Sequence, residues 1–476
     1  MDWTTITNTG RFTMGIDERV REPPVMRAPL AGSEGDLAST PMTMVIVCDH
    51  AYVSGGLAKV AISSACALRR RGHRVIFFSA VGPVAPELEA HGVDVICLNQ
   101  PDMLGDSSRV RAAARAIWNS LAASKLEALL AKLPLGRSIV HIHGWSKALS
   151  PSVLAVARDS ALPVVETLHD YVRHCPNGAL YDYVAQTNCE RKPMSLGCVS
   201  RNCDARNFGH KLWRVSRHAV LGHLARDLGE NHYIVISEHQ ARIVRAHLPD
   251  PSRVHFVPNL VDVEDQGPAP VIDNDAFLFV GRLSEEKGAD LLAEAGAITG
   301  SRLVFVGDGP ARDTVAGKSR ATFTGWLDKP ALMREVRKAR ALVFPSRWYE
   351  TFGLTVAEAL ANGVPVIVSD NTAAAELVAP FHTGLRFKSG DVWDLARCLD
   401  LLNEPGMAAR LGQAAYEEYW RSPLTDTRHV ARLEKTYADI VTDAITGHTR
   451  TAPAAYPSPA PASTVIPAVL HRTRVS

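Results

Sequence analysis

The sequence predicts an α/β protein built from two doubly wound parallel-sheet domains. At 476 residues the chain is longer than one typical domain core, so two domains are expected. Apolar strand segments alternate with helix-period segments from Thr43 onward, and this alternation predicts a parallel sheet with helices on both faces. The alternation restarts at residue 276. The polar stretch 263–275, which bears proline and glycine, is therefore interpreted as an interdomain linker.

The composition is that of an ordinary globular protein, with 46% apolar and 21% charged residues and a net charge of +2. So small a net charge predicts no general attraction to nucleic acid. The sequence contains no run of 18 apolar residues, so no membrane-spanning segment is predicted. Residues 1–42 have no apolar signal-peptide core, and we expect a disordered leader on a cytoplasmic protein. Residues 447–476, rich in proline and alanine, are expected to form a disordered tail.

The first predicted domain, residues 43–262, begins with the strand TMVIVCDH and a turn that contains Gly55 and Gly56. Two glycines in a first strand-to-helix turn let a ligand approach the backbone closely, although a plain tight turn would use them equally well. The turn lacks the G-x-G-x-x-G fingerprint, so a nicotinamide or flavin site is weakly supported.

Two later strands of this domain end in histidines. SIVHIHGW ends near His143, and VVETLHDY ends in His169 and Asp170. Ligands in open α/β sheets bind outside the carboxyl ends of the strands, which places both histidines near a candidate site. For His143 a structural role is equally open.

An irregular insert, residues 171–217, carries the clustered cysteines Cys175, Cys189, Cys198 and Cys203. Four thiolates could hold a structural zinc ion in a segment with little core of its own. No C-x-x-C pair is present, and buried thiols or a disulfide remain the alternative. The helical piece with Lys211, Arg214 and Arg217 is either a basic helix that contacts an anionic membrane surface or an ordinary solvated helix face.

The second predicted domain, residues 276–415, begins with AFLFVGRL and continues through the strand RLVFVGDG. Gly281, Gly307 and Gly309 lie at strand ends, where a ligand would approach the backbone. Arg282 and Lys287 bracket the first strand-to-helix turn. Two cations beside the N–H groups of a helix N-terminus suit a diphosphate whose oxygen departs during a reaction.

The stretch PSRWYETFGLTVAEALANGVPVIVSD, residues 345–370, concentrates the remaining polar chemistry. A helix is predicted from Leu354 to Ala361, ended by Asn362-Gly363 and Pro365. Glu350 precedes this helix and Glu358 lies within it. Between them, the amide groups of Phe352, Gly353 and Leu354 lie at a helix N-terminus, where anions bind. The combination suits a ligand that is both phosphorylated and polyhydroxylated.

These motifs resemble the retaining GT-B glycosyltransferases of family 4, the glycosyl transferases group 1. The resemblance covers roughly residues 43–440 and rests on Glu-x7-Glu at 350–358, FVGRLSEEKGADLL, FVGDGP, the T-x-H element ending in His169, and Pro258-Asn-x-Val-Asp. In the last motif Leu260 replaces the family's usual glycine, so that turn is expected to differ. Lys59 in G-L-A-K matches a frequent variant of the family's first loop.

The resemblance implies two Rossmann-like domains facing a cleft, with an acceptor-side first domain, a nucleotide-sugar-binding second domain, and helices at 416–446 that cross back to the first domain. It implies catalytic roles for His169, Glu350, Arg282 and Lys287. Glu358 would bind ribose, Glu350 and the Phe352–Leu354 amides would hold the sugar, and the two cations would neutralise the pyrophosphate. The glycines at 55, 56, 281, 307, 309 and 353 would border the donor.

The function expected from the resemblance is retaining transfer of a sugar from a UDP- or GDP-sugar to a saccharide or a lipid-linked saccharide, without a metal cofactor. The broad setting is bacterial surface polysaccharide biosynthesis, at the inner face of the cell membrane. Another GT-B enzyme, such as a phosphorylase or a nucleotide-sugar epimerase, and a non-catalytic nucleotide-sugar-binding protein remain alternatives. The residues do not identify the sugar, the base, the acceptor or the oligomeric state.

Overall fold

The computed structural model describes residues 41–103, 105–225, 231–245, 247–248, 250–319 and 321–446. The expected leader lies outside these residues except for its last two positions, and the expected tail lies wholly outside them. Among the described residues, no helix is both long enough and apolar enough to cross a membrane.

The first domain contains a parallel sheet and a small separate hairpin. Its strands are β1 (Thr43–His50), β2 (Arg74–Val81), β3 (Asp94–Cys97), β4 (Ser138–Ile142), β5 (Val164–Thr167), β6 (Tyr181–Asp182), β7 (Thr187–Asn188), β8 (His232–Val235) and β9 (Val254–Phe256). The seven-stranded parallel sheet has the order β3-β2-β1-β4-β5-β8-β9, and β6 and β7 form the antiparallel hairpin within the cysteine-bearing insert.

Helices cover both faces of this sheet. They are α1 (Gly56–Arg70), α2 (Pro86–Ala90), α3 (Arg109–Ile117), α4 (Ser120–Leu130), α5 (Ser152–Asp159), α6 (Leu196–Val199), α7 (Phe208–Ala225) and α8 (Glu238–Arg245). The interior strand β1 is buried at all eight positions, with Val45 opposite Ile76 and Val140. Burial on both faces is the reason that its sequence is continuously apolar rather than alternating.

The second domain repeats the plan with a six-stranded parallel sheet. Its strands are β10 (Ala276–Val280), β11 (Arg302–Val306), β12 (Ala321–Gly325), β13 (Ala339–Phe344), β14 (Val366–Ser369) and β15 (Gly384–Phe387). Its helices are α9 (Ala289–Thr299), α10 (Arg312–Lys318), α11 (Lys329–Arg337), α12 (Leu354–Ala361), α13 (Val392–Asn403) and α14 (Pro405–Arg421). The order β12-β11-β10-β13-β14-β15 reverses between β10 and β13, so the crevice outside the carboxyl ends of these two strands is the place for a ligand.

The last helix, α15 (Asp426–Thr446), packs on the first domain after α14 has packed against α12 of the second. Arg71, which caps the end of α1, donates to Glu434 at 3.0 Å, and Tyr437 Oη lies 2.5 Å from Nδ1 of the buried His141. The chain therefore returns to the first domain through residues 422–425, a few residues beyond the position 416 expected from the sequence.

The basic helix α7 differs from both sequence-based interpretations, because its cations do not form an outer face. Lys211 is completely buried and Arg217 is only 5% exposed, while Arg214 pairs with Asp204 at 2.9 Å. The helix packs against α3 and α6, so these long side chains point into protein rather than into solvent or lipid. Burial lowers the pKa of Arg217 to about 10.

Candidate active site

The turn after β10 holds the two predicted cations in different ion pairs. Arg282 donates to Glu286 at 2.6 Å, and Lys287 Nζ lies 2.5 Å from Glu350 Oε1. Gly288 caps helix α9 with a φ of 71°. A side chain would not fit at this position, because a β-carbon would lie 2.1 Å from the carbonyl oxygen of Pro345. The close approach of this turn to the end of β13 is what brings Lys287 to Glu350.

Gly307 and Gly309 follow β11 and lie in a turn that packs against the turn after β10. A β-carbon on Gly307 would lie 2.0 Å from the carbonyl oxygen of Gly281, and one on Gly309 would lie 2.3 Å from that of Leu283. The turns are joined by hydrogen bonds, including Leu283 N–H to Asp308 at 3.1 Å. The close approach that the sequence predicts at these glycines is thus, in the structure, an approach of one loop to another.

Glu350 lies at the centre of the polar contacts at the end of β13. Its Oε1 accepts from Ser346 Oγ at 2.8 Å in addition to Lys287 Nζ, and that ammonium lies 4.8 Å from the centre of the Trp348 ring. The cation–π contact adds to the ion pair. One oxygen of Glu350 is thereby fixed, and the carboxylate is held at the mouth of the crevice.

The N-terminus of α12 presents the predicted amide groups. Within the described part of the chain, no acceptor faces the N–H groups of Phe352, Gly353 and Leu354. The side chain of Phe352 packs with Ile236 and Val261 of the first domain, which anchors the loop across the cleft. Such amides at a helix N-terminus are where anions bind readily, so anion binding here stays a prediction.

Glu358 lies one turn deeper on the same helix and is bound by two lysines. Lys329, the first residue of α11, donates to Oε1, and Lys59 of α1 lies 3.7 Å from the same oxygen. Lys59 also lies 3.9 Å from Asp262. Burial lowers the pKa of Lys329, although the negative charge of Glu358 opposes that shift. No described residue donates to the second oxygen, Oε2.

The predicted histidine faces this site from the first domain. The carbonyl oxygen of His169 accepts from Thr351 Oγ1 at 2.8 Å, which joins β5 to the loop that carries Glu350. His169 Nε2 lies 2.9 Å from His143 Nδ1. Burial lowers the pKa of His169 to about 3 and lowers that of His143 well below its usual value, so both rings are neutral at physiological pH. The structure therefore joins the two histidines.

A small polar cavity extends behind His169 with about 20 Å³ of room for water, lined also by Glu166 and Arg173. Glu166 Oε2 and Arg173 Nη1 lie 3.7 Å apart as an ion pair, too far apart for a hydrogen bond, and His143 Nε2 is buried without a hydrogen-bond partner in the described structure. A cavity of this size and polarity fits a water molecule, which would satisfy such groups.

In the first-domain turn that contains Gly55 and Gly56, only Gly56 lies close to the second domain. A β-carbon on Gly56 would lie 3.3 Å from Leu354 Cδ1, whereas one on Gly55 would meet no atom within 4 Å. The helix that Gly56 begins also carries Lys59. The turn therefore lies against the N-terminus of α12.

Sequence reasoning missed Lys329 and Thr351 and assigned no role to Lys59. Lys329 follows the helix-capping residue Asp328 and looks like an ordinary exposed helix start. No local signal marks it, because its contact with Glu358 spans 29 residues and exists only once β12 and β13 have taken their places in the sheet.

The four insert cysteines are free thiols, and two of them contact a lysine. Lys211 Nζ lies 3.3 Å from Cys203 Sγ and 3.6 Å from Cys198 Sγ, while Cys175 Sγ lies 2.9 Å from Asn177 Oδ1. No group of three or more histidine, cysteine, aspartate or glutamate side chains in the described residues is arranged to hold a metal ion. Zinc binding by this cluster stays a prediction.

Two family models match adjoining parts of the chain. Residues 264–418 match the model for glycosyl transferases group 1, and residues 54–265 match the model for glycosyltransferase family 4. Together these matches cover residues 54–418, which contain every strand of both parallel sheets except β1.

Three curated proteins show sequence similarity to this chain. A glycogen synthase of Mycobacterium tuberculosis is 26% identical over 412 residues, which is 79% of this chain and 91% of that protein. A GDP-mannose-dependent alpha-mannosyltransferase of Mycolicibacterium smegmatis is 44% identical over 110 residues, 22% of this chain and 28% of that protein. A D-inositol 3-phosphate glycosyltransferase of Mycobacterium sp. is 29% identical over 304 residues, 59% of this chain and 62% of that protein.

Solved structures identify the fold. A sucrose-phosphate synthase from Thermosynechococcus elongatus has a TM-score of 0.64 and 20% identity, covering 84% of this chain and 99% of that one. Anabaena HepE in complex with UDP has a TM-score of 0.58 and 18% identity, covering 84% of this chain and 100% of that one. The two parallel-sheet domains and the family matches lead to one conclusion: the chain belongs to the family 4 glycosyltransferases, the glycosyl transferases group 1, and has the GT-B fold.

Proposed function

We propose that this glycosyltransferase moves a sugar from a UDP- or GDP-sugar to a saccharide or a lipid-linked saccharide, with retention of anomeric configuration. The observation that carries the proposal is the loop between β13 and α12. Its Glu350 is paired with Lys287, its amides face no acceptor among the described residues, and its Thr351 is hydrogen-bonded to His169 across the cleft.

The donor's diphosphate would bind between the two cations and the α12 amides. An ammonium has three donors, so Lys287 can hold Glu350 with one and a phosphate oxygen with another. Arg282 has a 58% exposed side chain and can turn from Glu286 toward the ligand. Negative charge is favoured at this place by the helix N-terminus as well as by the two cations.

The sugar and the ribose would be held by the two carboxylates. Glu350 would accept hydrogen bonds from sugar hydroxyls through the oxygen that Lys287 and Ser346 leave free. Glu358 Oε2 would accept from the ribose, while Lys329 and Lys59 hold that carboxylate in its orientation through Oε1. Support for these donor classes comes from the GDP-mannose dependence named for the mannosyltransferase relatives and from HepE, which has the same fold and was solved with UDP and with UDP-glucose.

The chemical step would break the bond between the anomeric carbon and the β-phosphate oxygen. The bonding electrons leave with the nucleoside diphosphate, whose charge Arg282 and Lys287 stabilise in place of a divalent metal ion. The acceptor hydroxyl would attack the same face that the diphosphate leaves, and its proton would pass to the departing phosphate oxygen. The neutral ring of His169 would contact the donor sugar without adding positive charge beside the reacting carbon.

The acceptor would enter from the first domain, between His169 and the insert 171–217. We place the reaction at the inner face of the cell membrane, in the assembly of a bacterial surface polysaccharide, where lipid-linked saccharides occur. Because Lys211 and Arg217 are buried, contact with a membrane would have to use other residues. Co-sedimentation with anionic vesicles, with neutral vesicles as the control, tests that contact.

Thermal unfolding with a panel of nucleoside diphosphates and their sugars tests the donor site. A ligand at 100 times its dissociation constant stabilises a protein by about 2.7 kcal/mol. We expect a shift with uridine or guanosine diphosphate that is weakened in Glu358→Ala. No shift with any nucleotide would contradict the assigned site.

An anomer-resolved NMR time course with the stabilising donor then tests the chemistry. We expect a retained product, unchanged rates with a chelator, and no donor turnover without a separate acceptor. An inverted product would contradict retention, and acceptor-independent turnover would favour a phosphorylase or an epimerase. A bound donor that remains unchanged with every acceptor extract would favour a binding protein.

A further inference from the structure

A buried lysine in contact with two thiols lies outside the cleft. The Lys211 side chain on α7 is completely buried, and its Nζ lies 3.3 Å from Cys203 Sγ and 3.6 Å from Cys198 Sγ. Among the described residues, no carboxylate lies within ion-pair distance of this amine. The two sulfur atoms are its recorded partners.

Burial of an amine without a carboxylate partner is costly, so an ordinary structural lysine would not be expected in this place. A zinc ion on the same sulfurs would lie against the amine, and the two would compete for the space. The geometry instead places the Lys211 nitrogen beside the thiol sulfur of Cys203. A cysteine sulfenic acid can condense with a thiol to a disulfide or with a backbone nitrogen to a sulfenamide, so sulfur in this state can form bonds to nitrogen.

We propose that Cys203 and Lys211 form a covalent N–O–S bridge when the protein meets hydrogen peroxide. One peroxide oxidises the Cys203 thiol to a sulfenic acid and leaves as water. A second peroxide removes the hydrogen of the S–OH group and one hydrogen of the amine as the O–N bond forms, and leaves as two water molecules. Sulfur and nitrogen each lose two electrons, which the two peroxides accept.

An oxygen bridge fits the separation better than a direct sulfur–nitrogen bond does. The two atoms are 3.3 Å apart in the reduced protein, and an inserted oxygen spans more of that gap than a direct bond would. The packed side chains around Lys211 therefore move less. Cys198, with its sulfur farther from the amine, is the second choice.

The bridge would fasten the part of the insert that precedes α7 to that helix, beside the candidate active site. Asn177 Nδ2 donates to the carbonyl oxygens of Tyr181 at 2.8 Å and Cys203 at 3.2 Å, which ties the cysteine to the β6–β7 hairpin. Asn188 of that hairpin donates to the carbonyl of Arg347 at 3.1 Å. Arg347 N–H in turn donates to Glu286, the partner of Arg282.

Peptide mapping of the full-length protein tests the proposal. Trypsin releases residues 202–206 with Cys203 and cleaves after Lys211 in the reduced protein. After hydrogen peroxide we expect peptide 202–206 joined to 207–214, because a bridged Lys211 no longer carries the charge that trypsin recognises. The joined mass gains one oxygen and loses two hydrogens, and dithiothreitol should restore the separate peptides.

Matched variants locate the bond. Lys211→Met and Cys203→Ser should abolish the joined peptide, whereas Cys66→Ser, at a buried cysteine whose sulfur donates to the Glu87 carbonyl, should keep it. The wild-type map decides even where a variant fails to fold. The proposal is overturned if no joined peptide forms, or if the joined peptide lacks the added oxygen. It is also overturned if a disulfide joins peptides 192–201 and 202–206, or if the untreated protein binds zinc stoichiometrically.

Discussion

The two sides of the cleft differ in the charge of the side chains that they present. The second domain presents ions in pairs, with Lys287 on Glu350 and Lys329 on Glu358. The first domain presents the buried His143 and the half-buried His169, and desolvation lowers the pKa of both rings, that of His169 to about 3. Under the proposed function, the second domain would meet the charge of a diphosphate, while the first domain would shape the site with neutral hydrogen-bonding groups.

Removal of a cation from the second domain should have the largest effect on turnover. Lys287→Met takes away the ammonium beside the α12 amides, and we expect a loss in kcat of about 100- to 1000-fold, the range measured for one well-placed stabilising donor. Steady-state kinetics with saturating donor measures it. Lys318→Met, which breaks the surface pair with Glu294 in the same domain, is the control and should stay near wild type. A variant that changes only KM would contradict a role in the chemical step.

Acid should act through the first domain. His429 of α15 lies 2.9 Å from Ser64 Oγ, and burial lowers its pKa from 6.5 to about 4. The unfolded chain therefore binds more protons between these values, so the free energy of unfolding falls as the pH drops below 6.5.

Urea unfolding at neutral pH and at about pH 4.5 measures this loss, which we expect to be about 2 kcal/mol larger for wild type than for His429→Gln. The exposed His382→Gln should follow wild type at both pH values. Equal losses in wild type and His429→Gln would show that His429 is not the titrating group.

Donor affinity should depend on Glu358 to a smaller extent. Glu358→Gln keeps the shape but removes the charge that binds Lys329 and Lys59 and the oxygen proposed for the ribose. Loss of a hydrogen bond to a charged group predicts about tenfold to hundredfold weaker nucleotide binding. Calorimetric titration measures it, with Glu294→Gln as the surface control. Unchanged affinity would place the ribose elsewhere.

The link between the two sides should contribute least. Thr351→Val removes the hydroxyl that donates to the His169 carbonyl, a neutral hydrogen bond worth about 1 kcal/mol, which is roughly a fivefold change in kcat/KM. Thr351→Ser keeps the hydroxyl and should restore the rate. If Thr351→Val and Thr351→Ser have the same kcat/KM, the hydrogen bond to His169 does not couple the two sides of the cleft.

The α/β class, the two parallel-sheet domains and the strand ends were predictable from sequence, because hydrophobic period, glycine turns and helix caps are set by neighbouring residues. α12 occupies the predicted residues Leu354–Ala361. The orientation of α7 was not predictable. Its cations look solvated in sequence, but packing against α3 and the insert buries Lys211 and Arg217, and only long-range contacts decide that.

The sequence by itself determined which residues stand at the strand ends: Arg282 and Lys287 after β10, Glu350 after β13, and His169 after β5. Only the tertiary structure decided their partners. Lys287 meets Glu350 across 63 residues, His143 meets His169 across 26, and Thr351 meets His169 across 182. Such pairs depend on strand order and on the closure of two domains, and neither is encoded in the local pattern that specifies a strand or a helix.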